Sequence, residues 1–390
     1  MQVFKLAHPS IHTATTISRK LICAITGKLA SQKLFLCIFF EVCLAIMGSI
    51  AAPAETVCVT GASGFIASWI VKILLESGYN VKGTVRNPEN AKHLLKLPGA
   101  DDRLQLIAAD ICTPSVFDSI FEGCDGVFHT ATPTPGAYDA ASMSETGYIE
   151  TAVKGTLNVL ESCAKLKRPL KRLVLTSSMA AVHFSKKLTP DSVIDETFFS
   201  DPEVIRNLPF LGEDFKSYVL SKTYAEKAAW DFVEEHKNLN MVSINPVMVM
   251  GPTLQGTVNS TNSFPLDFLS GELKTIPNAV RGWIGVKDCA MAHILAYEKP
   301  EAHGRYIVSE STLHFADLAA VLRKLFPNYK VEAREDVSKP RAPMYAVSTE
   351  RVKELGLVVE PLEDVLKDTV ECFISLGRLK PYKSLELNGI

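Results

Sequence analysis

The 390-residue chain has no surplus of either charge: 41 Lys and Arg stand against 43 Asp and Glu, a net of −2. A nucleic-acid binder needs a basic face to displace counterions from phosphates, so the balance argues against that class. A cysteine framework is also lacking. The nine cysteines, at 23, 37, 43, 58, 112, 124, 163, 289 and 372, are odd in number and scattered, and no CxxC, HExxH or Cys/His cluster occurs. That argues against a disulfide scaffold and a structural zinc, and for reduced, buried thiols in a reducing compartment. There is no internal repeat and no long linker. With 22% charged and 47% hydrophobic residues the chain is neither disordered nor a coiled coil, and it can bury a large core. At ~100–200 residues per domain, the length fits one large domain or two intimate ones.

The first fifty residues differ from the rest. Residues 1–46 hold five basic residues (Lys5, Arg19, Lys20, Lys28, Lys33) and one acid, Glu41. Residues 34–52 are apolar except for Glu41, close to the ~20 residues that cross a bilayer. The segment reads as a signal anchor, as a transit peptide, or as an extension ahead of a start at Met47, whose following residues lead straight into a first strand. A carboxylate near the middle of a span costs roughly 2.5–3.5 kcal/mol, which weakens the anchor reading; the Met47 start and a cytoplasmic protein are expected, with a membrane-anchored or organellar protein as the alternative.

From Thr56 onward, short apolar runs alternate with amphipathic stretches. Strands are expected at 56–60, 80–85, 104–108, 126–129, 172–176 and 241–244. Helices are expected at 65–77, 115–121, 145–165 and 218–236. Strands that alternate with helices form a parallel sheet covered on both faces, a doubly wound α/β sheet of Rossmann type. After Gly251 the pattern loosens into short strands at 282–286 and 304–308 and helices at 288–298, 315–326, 348–355 and 360–376, which reads as a smaller C-terminal α/β substrate lobe. The expected division is an N-terminal extension (1–52), a dinucleotide-binding domain (53–250), a mainly substrate-binding lobe (251–380) and a tail (381–390).

Between the first strand and the first helix stands Thr60-Gly61-Ala62-Ser63-Gly64-Phe65-Ile66-Ala67. One glycine permits the tight bend and a second lets backbone approach a pyrophosphate. The helix amides at Phe65 and Ile66, with Ser63, then face the negative charge. An NAD site wants a carboxylate at the end of the second strand for the ribose 2′-hydroxyl. Here Arg86 stands there, with Lys92 six residues on and no acid before Glu89. A guanidinium binds a 2′-phosphate that a carboxylate would repel, so the cofactor read from the sequence is NADP(H). Asp110 and Ile111 after the third strand fit an adenine-contacting pair, and Thr130, Ala131 and Thr132 after the fourth fit the nicotinamide side, where ligands sit in open α/β sheets.

Tyr218 and Lys222 are four residues apart at the start of an expected helix, hence on one face. An ammonium beside a phenol favours its ionised form and lowers its pKa. Such a phenol can give its proton to a carbonyl oxygen as hydride arrives at the carbon. Lys222 can also hold the ribose hydroxyls, and Ser178 after the fifth strand can hydrogen-bond the substrate oxygen.

These motifs together resemble an extended short-chain dehydrogenase/reductase. More narrowly, the chain is similar to the plant cinnamoyl-CoA reductase, dihydroflavonol reductase and phenylacetaldehyde reductase group. The resemblance rests on VCVTGASGFIASWIVKILLESGY (57–79), TVRNPENAK (84–92), GVFHTATP (126–133), AVKGTLNVL (152–160), LVLTSSMAAV (173–182), YVLSKTYAEKAAW (218–230), INPVMVMGP (244–252) and GWIGVKD (282–288), and spans about 57–376. It implies Ser178, Tyr218 and Lys222 as a catalytic triad, with Pro246 and Val247 covering the nicotinamide. Lignin-type cinnamoyl-CoA reductases carry NWYCYGK around the tyrosine. Here the stretch is Lys216-Ser217-Tyr218-Val219-Leu220-Ser221-Lys222, so only Tyr and Lys match. Ala152 stands where many short-chain reductases have a helix Asn, so no Asn-held proton relay is expected, and Asn158 reads as a packing residue.

The expected activity is NADPH-dependent reduction of an aromatic or phenylpropanoid carbonyl, an aldehyde or a dihydroflavonol-like ketone, with a hydroxycinnamoyl-CoA as the alternative. A non-catalytic NADP(H)-sensing regulator is the reading from another class, but such sensors often lose the Tyr or the Lys and both are present. Within the enzymes, an epimerase with tightly held NAD is argued against by the basic 2′-phosphate site. The substrate is expected between the 178–209 region and the lobe after Gly251, with Phe264, Leu266, Phe268 and Leu269 as its apolar wall. His129 and His183 read as core or supporting histidines, Trp69 and Trp230 as core, and Cys112 and Cys124 as unpaired thiols. No metal and no nucleic acid are expected, a membrane only through 34–52, and the assembly is a monomer or homodimer.

Overall fold

Apolar runs too short for helices set the architecture. In chain order they are β1 (Thr56–Thr60), β2 (Asn80–Val85), β3 (Leu104–Ala108), β4 (Gly126–His129), β5 (Arg172–Thr176), β6 (Val193–Ile194), β7 (Met241–Pro246), β8 (Met248–Met250), β9 (Val280–Gly285), β10 (Gly304–Val308), β11 (Ser311–His314) and β12 (Ala346–Val347). The structure, a computed structural model, describes residues 55–132, 145–189, 191–209 and 211–381. The segment 34–52, Met47 and the tail after 381 lie outside the described residues. Among the described residues no helix is long and apolar enough to cross a membrane.

Seven strands form one parallel sheet in the order β10-β7-β5-β4-β1-β2-β3. Successive side chains of a strand point to opposite faces, and this sorts them into two cores. Val57, Val59, Phe128 and Val174 join Ile70, Leu74 and Ile294 on one face. Cys58, Val127, Leu173 and Leu175 join Val159, Leu160 and Ala229 on the other. The first face is covered by helices Phe65–Glu76 and Val286–Glu298, the second by the mutually packed Glu145–Ala164 and Glu213–Glu235. Helix Phe65–Glu76 buries Ala67, Ile70, Val71, Leu74 and Leu75, the spacing of a single apolar stripe. Each such fully buried aliphatic side chain contributes about 1.5–3 kcal/mol against exposure.

The chain after Gly251 is not wholly apart from this sheet, because β10 pairs with β7 and completes it. A second, three-stranded sheet (β11-β9-β8) carries a core of its own, with Trp283, Phe268, Phe315, Leu322, Leu366 and Phe373. Helices Ser260–Ser270, Phe315–Leu325 and Leu362–Ser375 supply it.

Three expectations are corrected. Residues 115–121 form a run of turns, not a helix. Ser115 has φ of +58°, and the amides from Thr113 to Cys124 bond mostly three residues back; a left-handed residue cannot open an α-helix. The helix that carries Tyr218 begins at Glu213, with Glu213 and Asp214 in its first turn favoured by the helix dipole. The helix Ser260–Ser270, with Pro265 inside it, stands where no helix was expected.

Close packing across the sheet explains one glycine. A Cβ on Gly126 would stand 2.2 Å from the Tyr297 ring. That ring is fully buried, with Phe128 5.3 Å and Tyr79 6.1 Å away between ring centroids. Gly126→Ala should therefore cost about 1–3 kcal/mol of stability, read from urea denaturation. A midpoint equal to that of the parent would contradict this packing.

Candidate active site

β1 ends at Thr60 and the chain turns at Gly61, whose φ is +64°. A side chain there is strained, and its Cβ would also lie 3.0 Å from the Ala131 backbone. Gly64 N–H donates to Gly61 O at 2.8 Å and closes the turn onto helix Phe65–Glu76. The first amides of that helix lack partners within it and face the cleft, the geometry that receives an anion.

The cleft has a volume of about 670 Å³. Gly61, Ser63, Gly64, Phe65 and Ile66 line it at the turn, Arg86 at the end of β2, and Asp110 and Ile111 beyond β3. Thr130, Ala131 and Thr132 follow β4, Ser178 follows β5, Pro246 ends β7 with Val247 after it, and Tyr218 and Lys222 come from the helix Glu213–Glu235. The sequence-predicted residues therefore meet in one cavity, with one exception. Lys92 does not line it. Asn87 caps the short 3₁₀ turn Pro88–Ala91, and Lys92 follows that turn out to solvent, where it pairs with Glu89 at 2.5 Å. Arg86 is left as the cation at the β2 end.

Buried polar groups are bonded around the sheet edge. Thr60 Oγ1 bonds the ring of His129 at 2.8 Å and accepts from the amides of Thr130 and Ala131, each at 3.2 Å. His129 is buried, and burial together with the nearby Lys222 charge pushes it down to about 3, so it stays neutral. Thr176 Oγ1 bonds His293 Nε2 at 2.8 Å. Ser178 Oγ caps the 3₁₀ turn Met179–Ala181 by accepting from Ala180 N at 3.1 Å, and Ser178 O accepts from Asn245 at 3.2 Å.

Lys222 is 6% exposed and its Nζ donates to Thr176 O at 3.2 Å. Burial pushes its ammonium down to about 8, against the pull of the Glu226 carboxylate. The Tyr218 phenol stands above its ordinary value, because burial of its hydroxyl outweighs the opposing effect of the Ser178 side chain. The expected net lowering is thus corrected: burial of the hydroxyl dominates, and the lysine is itself poorly solvated and turned toward a backbone carbonyl.

The apolar wall expected from Phe264, Leu266, Phe268 and Leu269 does not face this cleft. Phe268 and Leu269 are buried in the second core, and the Phe264 ring packs 4.9 Å from that of Phe315. His183 sits against Phe184 and Tyr345, and burial pushes it down to about 4. Trp69 and Trp230 are packed as expected, their indole N–H groups donating to Pro252 O and Glu226. Cys112 and Cys124 are free thiols, one exposed and one buried.

Residues 57–308 match the NAD dependent epimerase/dehydratase family. The chain belongs to that family. It is 49% identical to the cinnamoyl-CoA reductase CAD2 of Medicago truncatula over 81% of this chain and 95% of the relative. Among solved structures it is similar to vestitone reductase from alfalfa, with a TM-score of 0.71 and 29% identity over 83% of this chain and 99% of that one. It is also similar to the yeast methylglyoxal/isovaleraldehyde reductase Gre2 complexed with NADPH, with a TM-score of 0.70 and 28% identity over 83% of this chain and all of that one.

Sequence reasoning missed three contributors. Gln255 lines the cleft and donates to Ser63 O in the glycine turn, from a loop with no motif. Asn158 is more than packing: it donates to Ile111 O at 2.7 Å and fixes the backbone beside Asp110. Glu226, buried beneath Lys222, was signalled only by its spacing of four residues from the lysine.

The residues present fit a phosphorylated dinucleotide: a cradle that a Cβ would fill, an amide-lined helix start, and an arginine at the end of β2, the place where an NAD site carries its carboxylate. Arg86→Glu should weaken NADPH binding about 10–100-fold, the loss of one charge-assisted contact, and leave NADH binding nearly unchanged. Titration calorimetry with both dinucleotides checks this, and an equal loss for both would contradict the assignment.

Proposed function

We propose that this chain is an NADPH-dependent reductase of aromatic, phenylpropanoid-type carbonyls, converting an aldehyde or a dihydroflavonol-like ketone to the alcohol. The observation that carries the reading is the meeting of Tyr218, Lys222 and Ser178 with Arg86 and the glycine turn on the lining of one cleft. In this reading residues 53–250 hold the cofactor through Gly61, Ser63, Gly64, Phe65, Ile66, Arg86, Asp110, Ile111, Thr130, Ala131, Thr132, Pro246 and Val247. Most of residues 251–380 cover the substrate. The enzyme works in the cytoplasm as a monomer or homodimer.

When bound, NADPH supplies a hydride to the carbonyl carbon. Ser178 and Tyr218 hold the carbonyl oxygen, and Tyr218 gives it the phenolic proton. Lys222 stabilises the resulting phenolate and binds the ribose hydroxyls. An unshifted tyrosine is a poor acid at neutral pH, and burial makes this one weaker still. The ammonium of Lys222 beside a newly formed phenolate is therefore what makes the transfer favourable. Phe215, which is 39% exposed, stacks on the Tyr218 ring at 6.2 Å between centroids. Val247, Val249 and Val258 add apolar lining. The name of the Medicago relative favours a CoA thioester as the second reading, and a substrate panel decides between them.

NADPH oxidation over aromatic aldehydes, dihydroflavonols and hydroxycinnamoyl-CoA tests the proposal. Tyr218→Phe should lower kcat on the best substrate about 10²–10⁴-fold while NADPH still binds. Wild-type turnover in the variant would remove Tyr218 as proton donor. Reduction consumes a proton, so kcat should be level at low pH and fall as pH rises through about 8, where Lys222 loses its charge. A rate that climbs through that range would contradict the assigned role.

A further inference from the structure

One turn below Lys222, on the side away from the cleft, lies a carboxylate in the interior. Glu226 is 1% exposed. Arg305, on β10 and 6% exposed, grips it through two bonds, Nε to Oε1 at 2.7 Å and Nη2 to Oε2 at 3.1 Å. Four neutral donors complete the shell: Ser177 at 2.6 Å, Asn245 at 2.8 Å, Ser243 at 2.9 Å and Trp230 at 3.2 Å. Two of these adjoin candidate site residues in the chain. Ser177 precedes Ser178, and Asn245 precedes Pro246 and bonds Ser178 O as well. Arg305 in turn donates to Ala181 O, Glu196 O and Phe198 O, holding the segment after Ser178.

A fully desolvated ion pair is weak evidence for stability, since an apolar pair of the same shape often serves as well or better. Its position asks for another account. Glu226 and Lys222 line one small internal cavity with His129, Thr156 and Ser177. We propose that Glu226, clamped by Arg305, is a positioning residue for the reduction proposed above: it fixes Ser178 and Pro246 on the two strand ends that flank the reacting carbon and supplies the negative charge behind Lys222. The inference rests on the reductase reading.

Apart from the Arg305 guanidinium on Glu226, the groups named around Lys222 are neutral. His129 on β4 and His293 on the helix behind β5 are pushed by burial down to about 3 and about 4, so both are neutral at working pH. Thr176 offers a carbonyl and Tyr218 a neutral phenol. Arg305 holds Glu226 ionised although burial pushes the carboxyl up. Loss of the Glu226 charge lets burial act on Lys222 alone, and the amine sheds its proton at lower pH.

The test compares Glu226→Gln and Glu226→Asp with the parent in two readouts. The first is the pH dependence of kcat with the best carbonyl. The second, without turnover, is the pH dependence of Lys222 acetylation by acetic anhydride, followed by peptide mass spectrometry. Glu226→Gln should move both profiles to lower pH by about one unit, the effect of removing a near opposite charge. Glu226→Asp, which keeps the charge on a shorter arm, should lose kcat several-fold with both profiles in place. If Glu226→Gln does not fold, Glu226→Gln/Arg305→Gln, which buries no lone charge, should move both profiles in the same direction by less, because a cation leaves with the carboxylate. Unshifted profiles in a folded charge-free variant, with the parent active, overturn this inference alone. A parent that oxidises no NADPH with any carbonyl overturns the reductase reading and this one with it.

Discussion

Polar groups gathered at the carboxyl edge of a parallel sheet cannot all reach water, and their mutual hydrogen bonding is the constraint on which the rest of this structure depends. Thr60 ties β1 to His129 and to the backbone after β4. Thr176 ties β5 to His293 and, through its carbonyl, to Lys222. Glu226 ties the end of β5 to β7 and β10. Each tie satisfies a buried donor or acceptor that would otherwise cost ~1–3 kcal/mol. Each also fixes a segment that lines the cleft.

The chemistry follows from that fixation. A phenol pushed up by burial is an unreactive acid until something stabilises its conjugate base. The buried amine beside it is poised near neutrality, pushed down to about 8. Desolvation disfavours the charged form of both the Tyr218 phenol and the Lys222 amine, and the Glu226 carboxylate opposes it at the lysine. In the proposed reading the glycine turn, the helix start and Arg86 recognise the phosphates, and Tyr218, Lys222 and Ser178 handle the proton, all on the lining of one cleft.

Much of this was legible in the sequence. The strands 56–60, 80–85, 104–108, 126–129, 172–176 and 304–308 carry β-branched, both-face apolar patterns bounded by glycine or polar breaks, and they match the structure to the residue. The glycine turn and the Tyr-Lys spacing were legible because local backbone and helix geometry dictate them. What depends on three-dimensional packing was not. Lys92 looked like a partner for Arg86 until the 3₁₀ turn sent it to Glu89. Phe264 and Phe268 looked like a ligand wall but serve a second core, since an apolar side chain satisfies either burial equally well. Glu226 was invisible as a hub because its partners Ser177, Asn245 and Arg305 lie 49, 19 and 79 residues away.

The most direct test of the account is the structure of a ternary complex with NADP⁺ and a cinnamaldehyde-type aromatic aldehyde. The account predicts the carbonyl oxygen within hydrogen-bond reach of both the Tyr218 hydroxyl and Ser178 Oγ, and the 2′-phosphate against Arg86. An aldehyde bound with its oxygen turned away from Tyr218, or a 2′-phosphate seated elsewhere, would contradict it.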